Sequence, residues 1–399
     1  MQNIVEKNKL NNTNTYHYDH MIYIRLFEGC NLNCEHCFIP SNPKKIELDF
    51  YKNQHITQLL LENTHIQKGN TLYLQWHGGE PTLLGVDYLK NAISEIEKDT
   101  RYHYQHGIQT NLMNFHENTK DWVELYRQYF QSEIGVSWDY QIRHVKRKEV
   151  SQTTNQEYEN IFWKNLALAQ ENHLKIYLVI TVTKLFFEHF KNPFDFFEMM
   201  EDKKIERLNF ERITKTGLAR DAWDKLGLNN LEYSENMSKF YKSYKIYKKS
   251  YPNSLLQISP FDGLENAVKT MKMEKDATVW DILSYKNQGY GCWSGECDTK
   301  FHTIDSHGYK HGCTALTSEQ DNKNKIVQNI PLEKIIWIGK NQNEQRNNIL
   351  DARKNRQETC QNCEFLNICS SGCLTVEKFD ESGECSGAKK LFKTIQKFK

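Results

Sequence analysis

Three of the chain's eleven cysteines form Cys30-x-x-x-Cys34-x-x-Cys37, and the other eight all lie beyond residue 290. No other feature restricts the fold as much. The first 20 residues are polar, without the apolar core of a signal peptide, and no later run reaches the roughly 18 apolar residues of a membrane span. The expected location is the cytoplasm, where thiols stay reduced, so these cysteines read as metal or redox ligands instead of disulfides. Lys and Arg total 52 against 51 Asp and Glu, a net charge of +1. That balance advertises neither a nucleic-acid nor a membrane partner.

Short apolar runs at residues 21–27, 71–77, 106–111, 133–139, 174–184 and 205–213 alternate with amphipathic stretches such as 86–98 and 118–130. Six strands with helices between them predict a parallel α/β sheet, either a partial barrel or a doubly wound sheet. In both, loops after the carboxyl ends of the strands build the site. The cysteine triplet, Gly78-Gly79-Glu80-Pro81, Gln109-Thr110-Asn111 and Ser137-Trp138-Asp139 each follow one of the first four strands. Residues 232–285 read as mostly helical. Beyond Tyr290 cysteine and glycine become frequent and apolar periodicity fades apart from residues 332–338, which reads as a second domain organised by metal.

Three thiolates on one loop can hold three irons of a cubane and leave the fourth open to a ligand. A zinc site completed by His36 or His77 is the alternative that spacing alone leaves standing. With Gly78–Pro81 following the next strand, the sequence resembles the radical S-adenosylmethionine superfamily. The resemblance implies a partial (β/α)6 TIM-type barrel in which Cys30, Cys34 and Cys37 hold a [4Fe–4S] cluster. Its expected S-adenosylmethionine contacts are His36, Gly78, Gly79, Glu80, Pro81, Thr110, Asn111, Ser137, Asp139 and Arg147. Glycines let backbone approach a ligand, Glu80 suits an ammonium, and Pro81 can open a helix. Tyr140 stands where the family usually has glycine, and Arg143 competes with Arg147 for the arginine that follows the serine.

The remaining cysteines, with Gly308 ahead of Cys313, resemble the SPASM extension of peptide- and protein-modifying radical enzymes. That resemblance assigns Cys292, Cys297, Cys313 and Cys373 to a first auxiliary [4Fe–4S] cluster and Cys360, Cys363, Cys369 and Cys385 to a second. It therefore implies three clusters in all. Eight thiolates alone permit many partitions, and a pair of zinc sites is the alternative. The expected division is an extension over 1–20, a barrel over 21–231, a helical linker over 232–289 and the SPASM domain over 290–399.

By resemblance the enzyme cleaves S-adenosylmethionine to a 5′-deoxyadenosyl radical that takes hydrogen from a peptide or protein substrate. The reducing electron would come from a carrier such as flavodoxin or ferredoxin. Sulfatase maturases carry a general-base Asp directly after the third cysteine of their auxiliary region, and Thr314 holds that position here. Threonine cannot accept that proton at neutral pH, which favours maturation of a ribosomally made peptide by crosslink, thioether or epimerisation. Formylglycine formation is the alternative activity, and a non-catalytic Fe–S or zinc protein is the alternative class. Twenty residues before the first strand are too few for a winged-helix leader-binding domain. The Tyr- and Lys-rich segment 241–251 is then a possible leader site, although its helical spacing reads more simply as one packed face.

Overall fold

The computed structural model describes residues 18–25, 27–39, 66–273, 293, 295, 297, 300–304, 310–311, 313–316 and 342–398. Cys292, Gly308, residues 1–17 and the apolar stretch 332–338 lie outside the described residues.

The six expected strands form in chain order: β1 (His20–Ile24), β2 (Thr71–Trp76), β3 (His103–Thr110), β4 (Glu133–Ser137), β5 (Lys175–Val182) and β6 (Arg207–Arg212). All neighbouring pairs among them are parallel. Helices α1 (Val86–Ile96), α2 (Thr119–Tyr129), α3 (Gln152–Glu171), α4 (Lys184–His189) and α5 (Pro193–Asp202) return the chain between successive strands from β2 to β6. Local chemistry fixes several of their starts. Ser151 and Thr154 close a capping box on α3, and Asn192 caps α5 with Pro193 in its first turn.

The sheet continues past these six strands on both sides. After α6 (Trp223–Leu226) and α7 (Asn230–Ser250), the short β7 (Gln257–Ser259) pairs with β6. On the other side β8 (Phe301–Ile304) runs parallel to β1, and β9 (Lys310–His311) closes that edge antiparallel to β8. The resulting order, β7-β6-β5-β4-β3-β2-β1-β8-β9, is an open sheet of partial TIM-barrel type, parallel except for β9.

Its two faces differ in chemistry. Even-numbered positions such as Ile22, Leu74, Trp76, Val136, Leu178, Ile180 and Phe210 are buried under the helices. Odd-numbered positions, among them Gln75, Gln109, Ser137, Thr181 and Asn209, are only partly covered. Because the register pairs odd with odd, as in Gln109↔Gly135, Ser137↔Val179 and Thr181↔Glu211, the polar face is continuous across strands. The alternation leaves a hydrophilic concave surface where a filled barrel would carry stacked apolar layers.

In α7, Tyr241, Tyr244 and Tyr247 are buried while Lys242 and Lys249 face solvent. The aromatic stripe of residues 241–251 is thus a packed face. It meets α8 (Phe261–Met273) and the last helix, α10 (Lys389–Lys397), with Tyr241 edge-on to Phe261 and Phe398. Helix α9 (Gln342–Glu358) meets β9 and leads into the cysteine-rich turns.

Candidate active site

Cys30, Cys34 and Cys37 lie on the loop after β1, and three neighbouring loops clamp that loop through backbone bonds. From the loop after β2, Gly79 N–H donates to Phe27 O and Glu80 N–H to Gly29 O, both at 2.9 Å. From the β4 side, Asn33 and Glu35 N–H donate to the carbonyls of His144 and Ile142, and Leu32 bridges Val145. After β6, Leu218 N–H donates to Cys37 O at 2.9 Å. Gly217, with φ +52°, lies so close that a Cβ would stand 2.3 Å from Cys37 O.

Gly78 and Gly79 press backbone on backbone against residues 27–29, where a Cβ would stand 2.3 Å from Phe27 O or 2.1 Å from Gly29 O. Pro81 opens a short 3-10 helix, Pro81–Leu84, that Glu80 caps. The Glu80 carboxylate is 1% exposed and fully engaged by protein donors: Thr82 N–H and Oγ1, Thr110 Oγ1 at 2.6 Å and Asn111 N–H at 2.7 Å. Burial pushes its pKa up, against the opposing pull of Asn111, Thr110 and Thr82. Glu80 therefore staples the loop after β2 to the Thr110-Asn111 turn. Asn111 Nδ2 in turn lies 3.7 Å from Cys30 Sγ and 2.7 Å from Asn31 Oδ1.

On the β4 side, Asp139 is buried and joins three elements. It accepts from Arg143 Nε at 2.6 Å, lies 3.1 Å from His36 Nε2, and accepts Thr181 N–H. Burial would raise its pKa, but Arg143 and then His36 outweigh it and hold the carboxyl well below the usual range. His36 Nδ1 is buried and has no hydrogen-bond partner among the described residues. Ser137 accepts from Gln109 Nε2 at 2.7 Å. Tyr140, in the position usually held by glycine, stacks on His189 with centroids 4.1 Å apart.

Of the two candidate arginines, Arg143 faces the site, with Nη1 3.9 Å from Cys34 Sγ. Arg147 is not brought there. Its side chain is 54% exposed and pairs with Glu157 at 2.6 Å on the outer surface. Spacing in sequence could not separate the two, because the bridge at Val145 turns the chain away only after Arg143.

Burial raises the pKa of all three thiols: Cys30 is pushed up to about 12, with Glu80 adding to the effect, and Cys34 and Cys37 are also raised. Cys37 adds to the rise at Cys30, and Cys30 and Cys37 add to it at Cys34. A cation bound by these sulfurs would reverse that balance and release their protons. Among the described residues no three His, Cys, Asp or Glu side chains converge on a single-ion position. Cysteine thiolates are the donors that iron–sulfur cubanes take. The donor set fits such a cluster.

In the C-terminal region, Cys360, Cys363, Cys369 and Cys385 line one small cavity with Phe365 and Phe392. Gly387 leaves space there that a Cβ would take at 2.7 Å from Cys369 Sγ. Cys373 lies apart, 2.9 Å from Thr375 Oγ1, and Cys297 lies 4.0 Å from Arg353 Nη2. Cys313 is half-buried just before the 3-10 turn Thr314–Leu316. Sequence reasoning missed Arg353 and Arg356, two buried guanidiniums of α9 that donate to carbonyls between Ser370 and Val376. It also missed Glu211, exposed on β6 at the open concave face, where its carboxylate accepts from Asn209 Nδ2.

With this geometry established, comparison with known proteins decides the family. Residues 24–192 match the model described as the Radical SAM superfamily. The chain contains a radical SAM domain. Enzymes of this superfamily use a [4Fe–4S] cluster and S-adenosylmethionine. The chain is 21% identical over 349 residues to a cysteine-type anaerobic sulfatase-maturating enzyme of Clostridium novyi (strain NT), covering 86% of this chain and 85% of that one. Its fold matches that of anSMEcpe with bound AdoMet and Kp18Cys peptide at TM-score 0.61 and 16% identity, over 95% and 96% of the two chains. It also matches Streptococcus suis SuiB bound to precursor peptide SuiA at TM-score 0.55 and 16% identity, over 91% and 73%.

Proposed function

We propose that this radical SAM enzyme matures a ribosomally made peptide, removing hydrogen from a residue presented at the polar concave face. The observation that carries the reading is Thr314, which follows Cys313 where sulfatase maturation needs a carboxylate. Cys30, Cys34 and Cys37 would hold the S-adenosylmethionine cluster. Cys360, Cys363, Cys369 and Cys385 would hold one auxiliary cluster, and Cys297, Cys313 and Cys373, with Cys292, the other. When bound, the first cluster supplies the electron that cleaves S-adenosylmethionine into a hydrogen-abstracting radical.

The chain's own part is positional. Gly78 and Gly79 keep the loop after β2 flat against the cysteine loop, Glu80 fixes Thr110 and Asn111, and Asp139 orients His36 and Arg143. Gln109, Ser137 and Asn209 offer hydrogen bonds along the concave face to the cosubstrate or to peptide backbone. We assign the barrel to residues 21–231, the linker to 232–289 and the auxiliary domain to 290–399, the latter two lending β7 and β8 to the barrel's sheet, with a small one-electron protein as reductant. No helix among the described residues is long and apolar enough to cross a membrane.

Formylglycine formation is the second reading, favoured by the Clostridium novyi relative. Co-expression with a short peptide encoded beside this gene, followed by mass measurement, tests both. Loss of two hydrogens supports an oxidative crosslink, and an unchanged mass with an inverted residue supports epimerisation. Conversion of a sulfatase-derived cysteine to an aldehyde, with the neighbouring peptide untouched, would overturn the proposal.

A further inference from the structure

Arg143 is placed with more care than a surface arginine needs. Its backbone is pinned on both sides to the cysteine loop, because Ile142 O accepts from Glu35 N–H and His144 O from Asn33 N–H. Its own carbonyl accepts from Asn155 Nδ2 at 2.8 Å. The guanidinium is 13% exposed, with Nε on Asp139 and Nη1 toward Cys34 Sγ. Asp139 shares its negative charge with His36 and with the Thr181 N–H as well as with Arg143. The outcome is a fixed positive charge facing one thiol of the triplet and shielded from water.

We propose that Arg143, oriented by Asp139, is a positioning residue that sets the electron affinity of the cluster held by Cys30, Cys34 and Cys37. This rests on the assignment of a cluster to that triplet. A cluster becomes more negative when reduced, and a buried cation beside a ligating sulfur stabilises the reduced form, with little screening from solvent. The residue therefore favours electron entry before any substrate is present. This differs from a contact to S-adenosylmethionine, which would alter affinity for the cosubstrate and leave the cosubstrate-free cluster as it was.

The test is an anaerobic redox titration of the reconstituted full-length protein without S-adenosylmethionine, followed by electron paramagnetic resonance. The triple variant Cys30→Ala, Cys34→Ala, Cys37→Ala supplies the background from the other cysteines. At a fixed applied potential near the wild-type midpoint, Arg143→Met is expected to lower the reduced-to-oxidised ratio about tenfold, a shift of about 59 mV for one electron. Arg143→Lys, which keeps the charge, should recover most of that loss. Arg143→Gln is a second neutral variant with similar reach, should Arg143→Met fail to fold. A neutral variant that loads iron and titrates like wild type would overturn the inference. So would loss of the site's iron in both neutral variants with Arg143→Lys fully loaded, which would make the role purely structural. If instead the triple variant keeps all its iron and signal, the cluster assignment itself fails, and that outcome is separate from the other two.

Discussion

Gly79→Ala isolates the contact between the two loops that build the site. Gly79 does not have a left-handed φ, so alanine incurs no backbone penalty there and the whole effect comes from space. Its Cβ would stand 2.1 Å from Gly29 O and 2.6 Å from Glu28 O, more than an ångström short of ordinary contact with the first. The obstacles are backbone atoms, which no rotamer change can move. The loops must separate, stretching the bonds from Gly79 N–H to Phe27 O and from Glu80 N–H to Gly29 O. Two such bonds contribute about 1 kcal/mol each, and overpacking adds about 1–3 kcal/mol, giving about 3–5 kcal/mol in all. Thermal unfolding of the metal-free protein should register that loss, and iron bound at the triplet after reconstitution should fall with it. Gly69→Ala is the control: φ is +88° but nothing lies within 4 Å, so only about 1–2 kcal/mol of left-handed strain is expected. If Gly79→Ala melted and loaded iron as wild type does, or if Gly69→Ala proved the more damaging, the close-approach reasoning would fail.

Arg356→Met should cost at least about 3 kcal/mol, because it strips the donors from the carbonyls of Cys373, Leu374 and Val376. Iron bound through the C-terminal cysteines should drop while S-adenosylmethionine cleavage persists, so intact auxiliary loading would refute it. Asn165→Leu should lose about 2–4 kcal/mol, since Nδ2 holds the carbonyls of Leu112 and Met113 behind the Asn111 turn, and denaturant unfolding reads this directly. His77 has its pKa lowered to about 4 by burial, aided by the charge of Arg25. The unfolded chain then binds a proton that the folded chain refuses, so this contribution is complete above about pH 6.5 and is lost as pH falls toward 4, by up to about 3 kcal/mol. His77→Gln should flatten the wild-type stability profile across that window, and parallel profiles for the two proteins would contradict the assignment.

The strands that carry the site were legible because each couples an apolar alternation to a polar strand end, as in TLYLQW followed by His77-Gly78-Gly79-Glu80. Strand β7 has three residues between two helices, and FHTI of β8 is too short and too polar to announce a strand. Partition of the cysteines is a tertiary property, and only the folded chain groups Cys360, Cys363, Cys369 and Cys385 at one cavity. Glu80 shows a subtler limit. Its motif marks a carboxylate beside the cysteine loop, but which protein donors hold it is a matter of what Thr82, Thr110 and Asn111 present to it. Residues such as Arg353 and Arg356 carry no motif at all, since their role lies in carbonyls some 17 to 20 positions downstream.

The ladder between β1 and β8 makes the C-terminal third part of the barrel's own wall. Met21 N–H donates to Lys300 O and Arg25 N–H to Ile304 O, so the strand leading into the cysteine triplet is paired on both sides. A chain cut before residue 300 would expose β1 as a bare sheet edge, open to pairing with other copies. Such a truncation should aggregate even though every residue of the matched radical SAM segment is present. The C-terminal segment and the matched segment are thus inseparable in folding.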